Sequence, residues 1–282
     1  MINVKVEVLE KESVQIYRMS TLDLQGNPFI WVSAYLIDGL LIDCGHHHAK
    51  DEFLKVLDID EVELALLSHH HEDHFGACYD LINKHNIPVY ATKETAFLIG
   101  MKLRLPPERK LVWGIPITPK VKLLENIKEI HTSKAKFEII QTPGHCCNLI
   151  SFFQKEKGLL FSTDAFIDSK QSVIFNWENA TKMLETFKNL KTLNCKFLFL
   201  ENGNLTTPSH LEKLIKYWTE IKTKSQDLYL KGFTSKQIVK QIFGRESILK
   251  KMTGGDMSRE NLIRSLLNLA PLNIRYNRKK RA

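Results

Sequence analysis

The chain has 282 residues, of which 43% are hydrophobic and 26% are charged, a composition typical of a globular protein with a sizeable core. It contains no run of about 18 apolar residues, so we expect no membrane-spanning helix. Its first residues alternate as in a strand rather than forming a secretory signal, and its five scattered cysteines are too few for a disulfide framework. These features predict a cytoplasmic protein.

The positive charge is concentrated after residue 207. Residues 208–282 carry 17 Lys and Arg against six Asp and Glu, whereas the preceding residues carry 23 against 26. This asymmetry predicts two parts, a main domain over 1–207 and a basic helical extension over 208–282 with a flexible tail. The basic part could make a weak contact with nucleic acid, or it could be a solvated helical face. The sequence contains no zinc-finger spacing, P-loop or aromatic–basic RNA motif.

The first half of the chain alternates between strand and helix patterns. Apolar periodicity predicts strands over 3–9, 13–19, 29–37, 40–43, 62–67 and 87–90, and helices over 49–57, 75–85 and 93–103. Residues 104–136 are rich in Pro and Lys and predict an irregular loop. Long loops inside compact domains are often functional, so this segment could be a lid or a substrate loop. The alternative is a surface excursion anchored by Trp113.

The second half predicts fewer strands and ends in helices. The predicted strands cover 137–141, 149–153, 159–162 and 196–200, and a helix covers 178–191. After residue 208 strand signals vanish. Thr207 and Pro208 predict the N-cap and first turn of a helix, and Thr234 with Gln237 predicts a capping box. Gly244 would end that second helix, and a last helix follows residue 258.

Residues 69–74 carry the most informative pattern, His69-x-His71-x-Asp73-His74, directly after a predicted strand. Neutral imidazoles can bind one borderline cation, and the carboxylate–imidazole pair can bind a second. Three other candidate positions, His145, Asp164 and residues 201–204, also follow predicted strands. Strand ends can converge at one edge of a sheet, where loops present ligands on a rigid scaffold. This arrangement predicts a metal site rather than a surface histidine patch.

These motifs resemble those of the metallo-β-lactamase superfamily of hydrolases, including its glyoxalase II-like and lactonase members. The resemblance covers residues 1–207 and rests on His69–His74, Thr142-Pro143-Gly144-His145, Leu160–Asp164 and Leu40–Gly45. It implies an α/β fold, a four-layer αββα sandwich with the metals at one edge. It assigns His69, His71 and His145 to a first metal. Asp73, His74 and Asp164 would bind a second, with Asp164 bridging the two.

The C-terminal part resembles the small helical or winged-helix-like appendage of some superfamily hydrolases. Its helices could wall off the active site, and exposed helices there could pair two chains into a homodimer.

The sequence departs from the family pattern at the last ligand. The family usually has a histidine beside glycine after the final core strand, whereas this chain has Glu201-Asn202-Gly203-Asn204. Asn204 stands where the histidine would fall, but Glu201 is the better donor, because a carboxylate suits an oxygen-rich site for Fe, Mn or Zn. We expect one or two Zn²⁺ ions, with Fe or Mn as alternatives.

The expected reaction is metal-dependent hydrolysis of a small ester, thioester or lactone. A cation on imidazoles lowers the pKa of bound water from far above neutrality to about 7, and Asp73 is expected to act catalytically by orienting the water and accepting its proton. Three alternatives stay open. They are a phosphodiesterase or ribonuclease, a persulfide dioxygenase with a single iron, and a nucleic-acid-binding protein without catalysis.

Neighbouring polar residues have simpler interpretations. Asp43 is expected to orient a ligand histidine, as carboxylates beside metal ligands commonly do. His70 is expected to point away from the metals, and the triplet at 46–48 is expected to be a solvated loop.

Overall fold

The computed structural model describes residues 2–101, 105–125 and 127–272. The chain divides into two compact units that are interleaved in sequence. The first unit comprises Met1–Gln141, Asn148–Asp164 and Cys195–Thr206, and the second comprises Thr142–Cys147, Ala165–Asn194 and Thr207–Ala282. The domain boundary after residue 207 stays a prediction, since the second unit also contains two earlier segments. The predicted flexible tail, at the end of the basic run 275–281, lies outside the described residues.

The described residues form fifteen strands and nine α-helices. The strands are β1 Val4–Lys11, β2 Val14–Thr21, β3 Val32–Ile37, β4 Leu40–Ile42, β5 Leu64–Leu66, β6 Val89–Ala91, β7 Lys122–Leu123, β8 Glu129–His131, β9 Lys136–Gln141, β10 Ile150–Gln154, β11 Leu159–Thr163, β12 Ile174–Phe175, β13 Phe197–Leu200, β14 Leu205–Thr206 and β15 Met257–Ser258. The helices are α1 Lys50–Val56, α2 Cys78–His85, α3 Lys93–Gly100, α4 Pro107–Trp113, α5 Ala180–Lys191, α6 Pro208–Leu230, α7 Ser235–Phe243, α8 Ile248–Met252 and α9 Arg259–Leu266.

The first sheet contains β1 to β7 in sequence order. Strands β1 to β4 are antiparallel, whereas β4, β5, β6 and β7 are parallel neighbours. Leu66 pairs with Ile42, and the amide of Asp43 donates to the carbonyl of Leu66 at 3.1 Å. Because parallel strands end at the same edge, the residues after β4 and β5 are side by side. Asp43 and the histidine motif therefore meet at this edge.

The second sheet has the order β14-β13-β11-β10-β9-β8. Its strands β11 and β13 are parallel, and Thr163 pairs with Leu200 after an irregularity that follows Phe161. The residues after these two strands, Asp164 and Glu201, consequently emerge at one edge of this sheet.

The two sheets pack face to face in the first unit. Buried side chains of the first sheet, such as Tyr35 and Leu66, share one cluster with Phe152, Phe161 and Phe199 of the second. Phe161 and Phe199 stack with ring centroids 4.8 Å apart. The other face of the first sheet is covered by α1, α2 and α3, whose buried side chains join a separate cluster with residues from the strands. Burial of both faces explains why β3 and β4 are uniformly apolar or small.

The second unit contains α5 to α9 and the short pair β12–β15. Helix α5 buries Met183 and Phe187 on one face, and the Phe187 ring lies edge-on to Trp218 of α6 with centroids 5.3 Å apart. The predicted capping box of Thr234 and Gln237 is confirmed at the start of α7.

Most predicted elements are confirmed with ends shifted by a few residues, but two expectations are wrong. Residues 104–136 are not wholly irregular, because they contain α4, β7 and β8. Strand β15 lies in the C-terminal part, where no strand was expected. Thr207 is the N-cap residue of α6 and Pro208 lies in its first turn, as predicted, although the Thr207 hydroxyl contacts Ser209 and makes no capping hydrogen bond. Among the described helices, none is both long and apolar enough to cross a membrane.

Candidate metal centre

The histidine motif forms a tight loop between β5 and α2. His69 and His74 are buried, with 0% and 1% of their surfaces exposed, and His71 is half-buried. The ring centroid of His69 lies 4.6 Å from that of His71 and 4.2 Å from that of His74. The loop fits because Gly76 lies against the backbone of residues 46 and 47, where a Cβ atom would come within 2.2 Å of a carbonyl carbon. The imidazoles are therefore gathered by close backbone packing.

Asp43 fixes the ring orientations of two histidines. Its carboxylate accepts hydrogen bonds from the amide of Ser68 at 2.7 Å, the hydroxyl of Ser68 at 2.7 Å and Nδ1 of His74 at 2.9 Å. Because the Ser68 hydroxyl donates its only proton to Asp43, it accepts from Nδ1 of His69 at 2.9 Å. Both rings then carry their proton on Nδ1, and Nε2 is the nitrogen that can bind a metal.

Asp164 lies between these two Nε2 atoms. Its Oδ2 is 3.5 Å from Nε2 of His69, and its Oδ1 is 3.2 Å from Nε2 of His74. Thr163, the residue before it, has a φ of 45°, an unfavourable conformation for a β-branched side chain. Strain of this kind commonly accompanies functional sites. Asp164 therefore brings a carboxylate oxygen close to Nε2 of each imidazole.

The ligand atoms in the first unit form two groups. His69, His71 and Asp164 each offer one atom within 4.8 Å of the others, and so do Asp73, His74 and Glu201. Glu201 follows β13, as the sequence predicts, and is half-buried. Asn204 is exposed, and its backbone amide donates to Oδ1 of the Asn202 side chain at 3.0 Å. The geometry therefore favours Glu201 over Asn204 as a donor to the second group.

His145 lies in the second unit and has its own carboxylate partner. Its Nδ1 donates to Oε1 of Glu178 at 2.6 Å, and Oε2 of Glu178 accepts from the amide of Phe175 at 2.6 Å. This bond places the proton on Nδ1 and leaves Nε2 as the metal-binding nitrogen. Gly144 has a φ of 139°, and a Cβ atom there would lie 2.4 Å from the Met183 side chain, so glycine is required beside α5.

The electrostatics of the first unit suit a cation. Burial lowers the pKa of His74, but the carboxylates of Asp164, Asp43 and Asp73 outweigh it and raise the pKa well above its usual value. Nε2 of His74 is buried and faces the carboxylates of Asp164 at 3.2 Å and Asp73 at 3.9 Å. Converging carboxylates around an imidazole nitrogen form a donor set that suits Zn²⁺, Fe or Mn. The residues present therefore fit a bound metal.

A salt bridge flanks the same motif. Arg109 of α4 donates from Nε to Oε1 of Glu72 at 2.6 Å and from Nη2 to Oε2 at 2.9 Å. Nη2 also lies 3.6 Å from Oδ1 of Asp73. Helix α4 thus connects the segment after residue 104 to the metal motif.

The neighbouring residues partly match their predicted roles. Asp43 contacts a ligand candidate as expected, and His70 turns away to donate to the Asn148 side chain at 2.8 Å. The expected solvated loop at 46–48 is wrong. His46 is fully buried with its ring 5.1 Å from that of Trp113, and the other two residues are half-buried.

Three contacts escaped the sequence analysis. Glu178 was assigned to a helix that in fact begins at Ala180, and Arg109 fell in a segment with no periodic signal. Ser68 precedes the motif and carried no distinguishing pattern.

Comparison with known proteins agrees with this fold. The family model of the metallo-β-lactamase superfamily matches residues 32–200, which is more than half of the sequence. The chain belongs to the metallo-β-lactamase superfamily. Among solved structures, it resembles a metallo-β-lactamase from Pontibacter korlensis, with a TM-score of 0.60 and 17% identity over 75% of this chain and 98% of that one. It also resembles a metallo-β-lactamase family protein from Thermus thermophilus, with a TM-score of 0.58 and 18% identity, covering 89% of this chain and 90% of that one. The predicted αββα fold is confirmed.

Curated relatives refine the class. The probable metallo-hydrolase YqgX of Bacillus subtilis is 29% identical over 152 residues, covering 52% of this chain and 69% of the relative. A hydroxyacylglutathione hydrolase of Aeromonas hydrophila is 26% identical over 154 residues, covering 55% of this chain and 52% of the relative. A second such hydrolase, from Pectobacterium carotovorum, is 27% identical over 114 residues, and the chain spans 37% of its length. These matches support the predicted coarse class, a metallo-hydrolase.

Proposed function

We propose that this protein hydrolyses a small thioester, ester or lactone with one or two bound Zn²⁺ ions, with Fe or Mn as alternative metals. The observation that carries the proposal is the orientation of His69 and His74, both turned by the Asp43–Ser68 hydrogen bonds so that Nε2 faces Asp164. A thioester is favoured among the substrates, because the curated relatives include proteins named for hydrolysis of an acylglutathione, which is a thioester.

The proposed ligands follow from the donor groups. His69, His71 and His145 would hold a first ion, and the Glu178 carboxylate would keep His145 in the required tautomer. The second ion would be held by Asp73, His74 and Glu201, with Asp164 as a shared ligand. When bound, such cations supply Lewis acidity to water and to a substrate carbonyl oxygen.

The chain's own residues would manage the proton. Asp73 is 6% exposed, so its carboxylate faces little competing water and can orient a nucleophilic water through a strong hydrogen bond. The same carboxylate would accept the proton that this water loses. The neutral imidazoles, fixed by Asp43 and Glu178, keep their geometry through the reaction because their Nδ1 protons are already engaged.

The open alternatives make different demands on the substrate. A phosphodiesterase or ribonuclease would cleave a charged diester, a persulfide dioxygenase would consume oxygen with a single iron, and a nucleic-acid-binding protein would show no turnover. The basic residues after 207 motivate the first and last of these. Weak nucleic-acid contact, a homodimer and a cytoplasmic location stay predictions from the sequence.

The test is a substrate screen on the full chain reconstituted separately with Zn²⁺, Mn²⁺ and Fe²⁺. The panel contains an acylglutathione thioester, an aryl ester, a lactone, a phosphodiester, an RNA and glutathione persulfide with an oxygen electrode. We expect turnover of the thioester, ester or lactone, and its loss in His71→Ala. The exposed control His85→Ala should behave like wild type. Turnover confined to the phosphodiester or RNA, or oxygen consumption with the persulfide, would overturn the proposal.

A further inference from the structure

Arg109, on helix α4, contacts two residues of the segment His69–His74. Its guanidinium forms a two-pronged salt bridge with Glu72, at 2.6 and 2.9 Å, while Nη2 lies 3.6 Å from Oδ1 of Asp73. Glu72 is 1% exposed, so the salt bridge is protected from solvent on the carboxylate side. Burial alone would lower the pKa of Arg109, but the carboxylates of Glu72 and Asp73 raise it above its usual value. The guanidinium is therefore a fixed positive charge beside Asp73.

The two oxygens of Asp73 face different partners. Oδ1 faces Arg109 at 3.6 Å, whereas Oδ2 faces Nε2 of His74 at 3.9 Å. Oδ1 accepts no hydrogen bond from a described residue, so Arg109 acts on it by charge attraction, which favours the orientation with Oδ1 toward the guanidinium. The other oxygen then points toward the group formed with His74 and Glu201.

Helix α4 is itself anchored to the first unit. The Thr21 hydroxyl donates to the carbonyl of Val112, and the His48 ring contacts the carbonyl of Lys110 at 3.2 Å. The ring of Trp113 packs against His46 with centroids 5.1 Å apart. A helix held at several residues can present a side chain at a constant position. Arg109 therefore comes from a rigid support and not from a free loop.

We propose that Arg109 is a positioning residue that, together with Glu72, sets the orientation of Asp73 for the second metal. This proposal rests on the proposed metal centre and adds a residue that determines how tightly the second ion binds. The charge balance supports this proposal. Arg109 neutralises Glu72, so the salt bridge adds no net negative charge beside the carboxylates of Asp73, Asp164 and Glu201. Lysine would serve poorly, since an ammonium cannot form both parallel bonds of a planar guanidinium.

The experiment compares four variants of the full chain, Arg109→Met, Arg109→Lys, Arg109→Met with Glu72→Gln, and Lys110→Gln. The double variant removes both charges and so avoids the unpaired buried carboxylate that Arg109→Met leaves. Lys110 is the matched control, because it is exposed and its replacement removes one positive charge from the same helix. The measurements are Zn²⁺ affinity by chelator competition, absorption spectra of the Co²⁺-loaded protein, and kcat and KM separately.

We expect the double variant to keep the first-ion Kd and to raise the second-ion Kd by about 10- to 100-fold, the usual effect of removing a contact behind a ligand. The Co²⁺ spectrum of the second ion should change, and kcat should fall more than KM rises. Arg109→Lys should recover part of the affinity, and Lys110→Gln should match wild type.

A second-ion Kd equal to that of wild type in the double variant would overturn the proposal, because Arg109 would then only neutralise Glu72. A wild-type chain that binds a single ion would overturn it too. Metal titration needs no substrate, so an inactive chain in the screen would count against the proposed hydrolysis and leave the Arg109 result standing.

Discussion

Asp43 and His74 are joined by a buried hydrogen bond of 2.9 Å between Oδ2 and Nδ1. The same oxygen accepts the Ser68 hydroxyl, which in turn accepts from His69. One carboxylate therefore sets the tautomers of two imidazoles on a loop that begins two residues after β5. Asp43 has a φ of 60°, an uncommon backbone conformation. The turn after β4 places the carboxylate beside Ser68 and His74 in this conformation.

Replacing Asp43 with Asn should weaken metal binding without touching a proposed ligand. Whichever carboxylate oxygen the amide nitrogen replaces, it cannot accept the hydrogen bonds that this oxygen received, either from the Ser68 amide or from the Ser68 hydroxyl and His74. We expect Zn²⁺ affinity to fall by about 10- to 100-fold, measured by chelator competition. Asp51→Asn is the control, because the side chain of Asp51 is 71% exposed. Equal affinity in Asp43→Asn and wild type would show that the hydrogen bonds do not orient the rings.

Glu178→Gln should act on the imidazole of His145. The neutral amide is a weaker acceptor for Nδ1 than the carboxylate at 2.6 Å, so the ring becomes a poorer donor at Nε2. We expect a loss of first-ion affinity of about tenfold, measured by chelator competition on the folded variant. Glu185→Gln, an exposed position on α5, provides the control. A change confined to the second ion would contradict the assignment of His145.

Glu201→Ala and Asn204→Ala separate the two candidates for the last ligand. Glu201 offers a carboxylate within 4.8 Å of atoms from Asp73 and His74, whereas Asn204 is exposed. We expect Glu201→Ala to reduce the metal content from two ions toward one per chain, and Asn204→Ala to leave it unchanged. Elemental analysis after dialysis measures both. The reverse order of effects would reassign the ligand to Asn204.

The buried ring of His46 should make stability depend on pH. The pKa of His46 is lowered from 6.5 to about 3, mainly because the ring is buried and to a smaller extent because His48 and His47 lie nearby. The unfolded chain then binds one more proton than the folded chain between these values, so stability falls as the pH falls from about 6.5 to about 3. The full loss from this group is on the order of 4–5 kcal/mol, at 1.36 kcal/mol per pKa unit.

His46→Phe keeps a ring against Trp113 and removes the titration. In the metal-free protein, we expect its free energy of urea unfolding to depend less on pH than that of wild type between pH 6.5 and 4. His85→Phe, at an exposed position, should show the wild-type slope. Parallel slopes for His46→Phe and wild type would mean that His46 is not held neutral by burial.

The sequence predicts the fold and the local motif well for identifiable physical reasons. His69 to His74 occupy six consecutive residues after an apolar strand, so one turn of chain holds several donors. Asp164 is predicted from the same logic, because it follows a buried strand whose parallel neighbour also ends at the site edge.

The contacts behind the ligands were not predictable in this way. Arg109 and Glu72 are 37 residues apart and are joined by tertiary packing that no periodicity encodes. Glu178 lies two residues before α5, where a helical pattern obscured its separate role. Burial of His46 likewise depends on Trp113 folding over it, which a polar triplet does not indicate.

Metal content tests the central claim most directly. Wild-type protein, stripped with a chelator, reloaded with Zn²⁺ and dialysed, should retain two ions per chain by elemental analysis. His69→Ala with His71→Ala should lose the first ion, because only one of the three proposed imidazoles remains, while the exposed control His85→Ala retains both. Wild-type protein that retains no ion, or a double variant with unchanged metal content, would contradict the account.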